Sequence, residues 1–73
     1  MATDICIALG QKIRELRQKR GWRQIDLAAH AELSKTHINE LEAGKREIGL
    51  RALERLASAF ELRVSELMKQ IET

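Results

Sequence analysis

The sequence predicts a compact all-α domain of five short helices, and three observations lead there. Proline is absent, and Trp22 and Phe60 are the only aromatic residues among 73. Leu, Ala, Glu, Arg and Ile dominate, a vocabulary that favours helix and offers little to a sheet. Apolar residues recur at helical spacing in blocks closed by glycine or opened by small polar residues. The length leaves room for one domain, residues 1–73, with one modest core.

Helix one is predicted from about Asp4 to Arg20, with Thr3 as its N-cap and Gly21 as its stop. Leu9, Ile13 and Arg17 share one i, i+4, i+8 row, with Leu16 beside it. Trp22 packs at the junction. Helix two runs from about Gln24 to His30 and turns Leu27, Ala28 and Ala31 inward. Ser34 caps helix three, Lys35 to Ala43, which Gly44 terminates. Helix four begins near Leu50 behind a weak Gly49 cap, with Leu50, Leu53, Leu56, Ala57 and Phe60 as its buried stripe. Helix five, about Val64 to Ile71, repeats apolar residues at Val64, Leu67, Met68 and Ile71. No internal repeat or linker is evident. None of these helices is long enough to be stable alone, so a shared core must hold them.

Charge and cysteine usage narrow the class. The net charge is only +2, but residues 1–24 hold six basic against two acidic side chains, while residues 52–73 hold three against four. A basic half of this kind suits a face that meets phosphates. No apolar run approaches the roughly 20 residues that span a bilayer, and no export signal opens the chain. The single Cys6 cannot form an internal disulfide, and a reducing cytoplasm is expected.

Residues 24–43 then read as two short helices joined by a tight connection, the second with its polar side chains outward. Such a helix on a small support fits the DNA major groove. At 100° per residue, Ile38 and Leu41 set the core direction of helix three. Thr36, Asn39, Glu40 and Ala43 point the opposite way, with Lys35 and His37 at its N-terminal flanks. Lys35 can donate to guanine O6 and N7, Asn39 suits adenine, Glu40 can accept from cytosine N4, and the Thr36 methyl can meet that of thymine. These five polar residues are the candidate base readers. Gln24 opens helix two, where free backbone N–H groups can hold a phosphate. Lys45 and Arg46 follow helix three directly. Arg51 sits in the first turn of helix four, where a cation is unfavourable unless an anion arrives. With Arg23, these are the candidate phosphate contacts. Arg17 and Glu42 both aim at the core, which makes sense if they pair.

The stretch from Arg23 to Arg46 resembles the helix-turn-helix of the lambda-repressor-like family, which includes phage repressors, Cro proteins and Xre-type bacterial regulators. The likeness covers about Leu9 to Met68. It implies base reading mainly at the positions of Lys35, Thr36 and Glu40, a phosphate contact at Gln24, and a partly buried Arg17–Glu42 ion pair. It also exposes departures. Glu32 and Glu61 stand where glycines are usual, Arg23 replaces a small polar residue, and Ile48 replaces a proline. A left-handed backbone at Glu32 would cost roughly 1 kcal/mol.

The resulting expectation is a sequence-specific transcriptional regulator that binds a pseudo-palindromic operator in double-stranded DNA as a homodimer. It would block or recruit RNA polymerase by occupancy and regulate its own operon. The stand-alone size resembles restriction–modification controller proteins and short phage-type repressors. The alternative is an antitoxin or protein-binding module with secondary DNA binding. A symmetric dimer is expected because Ile5, Ile7 and Ile25 exceed what the core needs, its interface formed by Ile5, Val64, Leu67, Met68 and Ile71. His30 and His37 are seven residues apart with Cys6 remote, so no metal-ligand spacing exists. No catalytic grouping stands out, and neither an enzyme, a cofactor, a small-molecule ligand nor a membrane association is expected.

Overall fold

The protein is described by a computed structural model, which covers residues 4–71. Five helices account for most of them: α1 (Ile5–Lys19), α2 (Gln24–Ala31), α3 (Lys35–Glu42), α4 (Leu50–Ala59) and α5 (Val64–Ile71). Asp4 is the N-cap of α1, its Oδ1 accepting from the Cys6 N–H at 2.8 Å. Thr3, the expected cap, lies outside the described residues. The chain leaves α1 at Lys19, one residue before the expected Arg20. Ser34 caps α3, its hydroxyl accepting from the His37 N–H at 3.0 Å.

Each helix sends one side chain to the centre. Ile13, Leu27, Ile38, Leu56 and Leu67 come from α1 to α5 in turn and are all fully buried. Burial of such a side chain contributes about 1.5–3 kcal/mol, so the five together decide that the helices pack at all. α3 lies against α1 and α2, while α4 and α5 close the other side. Leu50 corrects the expected stripe of α4. It is 84% exposed, because α4 begins beyond the edge of the core and its first residue overhangs solvent.

Gly10 holds α1 close to the end of α3. A Cβ there would overlap the Leu41 carbonyl oxygen and lie 2.9 Å from that of Glu42. Only a residue without a side chain lets the two helices approach this far.

The first four helices end alike. After α1 the Trp22 N–H donates to the Arg17 carbonyl (3.1 Å), after α2 Leu33 to Ala28 (2.9 Å), after α3 Lys45 to Glu40 (3.1 Å), and after α4 Leu62 to Ala57 (2.8 Å). This six-to-one bond needs a left-handed residue at the turn. Gly21 (φ 69°) and Gly44 (φ 70°) supply it twice, and Glu32 (φ 56°) and Glu61 (φ 58°) supply it at a cost. The two glutamates reveal an internal repeat that the sequence reading missed. Shifting α2–α3 by 29 positions places Leu27 on Leu56, Glu32 on Glu61, Leu33 on Leu62 and Ile38 on Leu67. Glu32→Gly and Glu61→Gly are each expected to stabilise the fold by about 1 kcal/mol. That corresponds to roughly 4–8 °C in thermal unfolding. A lower melting temperature for both would show that the turns carry no strain.

Candidate nucleic-acid interface

Two short helices meet at a polar network that the rest of the fold holds still. Arg17 donates to Glu42 through Nε (2.6 Å to Oε2) and Nη2 (3.0 Å to Oε1), a two-pronged pair. Its Nη1 donates to the Trp22 carbonyl at 2.8 Å, tying the α1–α2 corner to the same guanidinium. The side chains are only 12% and 5% exposed, so neither charge could stand there alone. Gln24 Nε2 gives Glu42 Oε1 a further bond at 3.1 Å. Gln24 Oε1 in turn accepts from Asn39 Nδ2 at 3.3 Å. The chain Arg17–Glu42–Gln24–Asn39 thereby fixes α2 and α3 relative to each other.

The network leaves one N–H of the Gln24 amide free, beside the N-terminal backbone amides of α2. With Arg14, Arg17, Asn39, Glu42 and Ala43, Gln24 lines a recess of about 260 Å³. Arg14 is exposed and was missed in the sequence. The signal was its position one turn after Gly10, on the face of α1 that meets α3.

The other candidates divide by what they touch. Lys35 and Thr36 are exposed at the leading end of α3. His37 is half-buried beside them, and Asn39, although exposed, is turned toward Gln24. Glu40 is also not free: Arg46 Nη1 donates to its Oε1 at 3.0 Å. Arg23 is spent on Asp26, through Nε and Nη2 at 3.2 Å each, while its backbone N–H caps the same carboxylate at 2.8 Å. Those hydrogen bonds hold the Asp26 carboxyl below the usual range and push Arg23 up. Lys35, Lys45 and Arg51 have no ion-pair partner among the described residues. Cations without partners flank α3 at both ends, which leaves a positive rim around one short helix.

On the far side, Ile5 (61% exposed) and Met68 border two adjoining apolar grooves. Leu67, expected at the interface, is fully buried in the core of the single chain. Ile71, though it lines one of these grooves, is only 7% exposed and belongs to the inward half of α5. The Trp22 ring is stacked between surface and core, 4.2 Å from that of His30 and 5.8 Å from that of Phe60. His30 is thus an aromatic partner at the corner. Among the described residues no cluster of His, Cys, Asp or Glu could hold a metal, and no helix is long and apolar enough to cross a membrane.

Comparison with known proteins places this architecture. The control protein C.MunI of a Mycoplasma species is 36% identical over 70 residues, covering 94% of this chain and 95% of that one. The HTH-type transcriptional regulator DdrOP3 of Deinococcus deserti is 38% identical over 64 residues, 88% of this chain but 50% of that protein. This chain therefore spans about half the length of that relative and nearly all of the former. The crystal structure of the restriction–modification controller protein C.AhdI from Aeromonas hydrophila superposes with a TM-score of 0.80 at 32% identity, over 85% of this chain and 94% of that one. A helix-turn-helix family model matches residues 13–67, from the first fully buried side chain of α1 to that of α5. The five-helix scaffold and its α2–turn–α3 unit make this chain a member of the helix-turn-helix family.

Proposed function

We propose that the protein is a sequence-specific transcriptional regulator that lays α3 in the major groove of operator DNA. The observation that carries this is the exposure of Lys35 and Thr36 on a helix held rigidly by the Arg17–Glu42–Gln24 network and rimmed by Lys45, Arg46 and Arg51. Lys35, Thr36 and Glu40 read bases, with His37 at the flank. Asn39, already bonded to Gln24, serves to position that amide on a phosphate. Arg14 joins the phosphate contacts, and Arg23 contributes less because its charge is met by Asp26.

Two copies related by a two-fold axis would present two recognition helices about 34 Å apart, one turn of DNA. The apolar grooves bordered by Ile5 and Met68 suit that contact, and the likeness to the control protein C.MunI runs over 95% of that protein. A cytoplasmic regulator of this kind acts by occupancy, blocking or recruiting RNA polymerase, including at its own promoter. Sedimentation at tens of micromolar is expected to show a dimer, and a monomer alone at that concentration would rule out the two-fold arrangement.

Salt titration tests the interface itself. Arg14, Lys45, Arg46 and Arg51 from two protomers neutralise about eight phosphates, so log K should fall with log salt at a slope of about −7. Lys35→Ala should change base preference in selection from a random duplex pool, whereas Lys45→Ala should weaken every sequence alike. A slope near zero, or identical losses for both variants on all sequences, would refute the assigned roles.

A further inference from the structure

In the free protein a base-reading candidate and a phosphate-binding candidate are bound to each other. Glu40 lies on the groove-facing side of α3, and Arg46 reaches back from the following loop to meet its Oε1 at 3.0 Å. Both side chains are substantially exposed, 42% and 51%, so the pair is open to exchange with a ligand. A carboxylate holding a guanidinium at this distance occupies it as a phosphate would.

We propose that Glu40 determines specificity by competing with DNA phosphate for Arg46; this rests on the assignment of α3 as the helix that reads bases. A phosphate that takes Arg46 leaves the Glu40 carboxylate without its donor. Where the base edge opposite is cytosine, its N4 amino group replaces the lost hydrogen bond and the exchange is balanced. Where that edge offers only the acceptors of guanine, Glu40 is left facing like charge with nothing returned. The phosphate contact of Arg46, by itself indifferent to sequence, thereby becomes worth more on a matching site. Glu40 reads its base and also lowers the affinity for every duplex that lacks it.

The test is a double-mutant cycle on wild type, Glu40→Gln, Arg46→Ala and the double variant. Each is titrated by fluorescence anisotropy with a labelled short duplex of mixed sequence at several salt concentrations. An exposed pair shifts an equilibrium by a factor of up to about five, so Glu40→Gln is expected to tighten binding two- to five-fold. The salt slope should steepen by about 0.9 per protomer, about 1.8 for a bound dimer, as each freed Arg46 engages a phosphate. In the Arg46→Ala background that gain should fall to less than half. Equal tightening in both backgrounds would overturn the competition, since Glu40 would then act only through its own charge, while the DNA-binding assignment would stand. Absence of duplex binding by wild type would overturn both. All four proteins should melt within a few degrees of one another, because both side chains are exposed. A variant that does not fold would contradict the pair's surface role.

Discussion

Glu42→Gln is expected to remove about 3–5 kcal/mol of stability, a large part of the roughly 4–11 kcal/mol that a domain of this length possesses. Glu42 is 5% exposed in its side chain and accepts from Arg17 twice and from Gln24 once. An amide of the same shape turns an NH₂ group toward donors and leaves the 12%-exposed Arg17 charge uncompensated. Arg17→Met should cost a comparable amount, because it strands the carboxylate instead. Thermal unfolding followed by circular dichroism reads both, with a drop well above 10 °C at about 4–8 °C per kcal/mol. Removing both charges together should recover part of the loss, since an apolar pair leaves no buried charge unmet. Unchanged melting in both single variants would show that the pair does not hold α3. DNA affinity should fall in parallel, because Gln24 loses the partner that orients it.

Gly10→Ala is the second large effect, about 3 kcal/mol by the usual cost of overpacking. The added methyl meets the Leu41 and Glu42 carbonyls, which are backbone and cannot rotate aside. α1 and α3 must separate, and the helix that carries Lys35 and Thr36 moves with them. Gly21→Ala is the informative control. Nothing lies within 4 Å of its Cβ, so only the φ of 69° is strained, at about 1 kcal/mol. Urea unfolding should therefore show a much lower midpoint for Gly10→Ala than for Gly21→Ala. Equal midpoints would mean that α1 and α3 tolerate a wider crossing.

Much of this architecture was legible because it is written in local chemistry. The five helices follow from apolar spacing and from Ser34, Gly21 and Gly44 at their ends. The left-handed turn at Glu32 was raised only through the family resemblance, and that at Glu61 emerges from the structure. The facing of Arg17 and Glu42 follows from two charges placed on inward rows. Helix one was misread locally by one residue at each end, at Asp4 and Arg20, while the misread burial is non-local. Leu50 fits its stripe in spacing, yet α4 outruns the core and leaves it in water. Leu67 and Ile71 looked like spare apolar surface until the packing of α5 against α1 and α4 buried them.

For the interface the division is similar. Periodicity selects the outward face of α3, because the angle between successive residues is set by the helix itself. What it does not contain is the partner of each polar group. That Asn39 leans on Gln24, that Arg46 is held by Glu40, and that Arg14 opens onto the same recess depend on crossing angles and on loop paths. The sequence by itself determined which helices form, where they end and which faces they bury, since those preferences act within a turn or two of chain. Only the tertiary structure decided how closely α1 approaches α3 over Gly10, and which charges are already spent on one another. Those outcomes are set by distances between segments far apart in the chain, where a shift of one ångström makes or breaks a hydrogen bond.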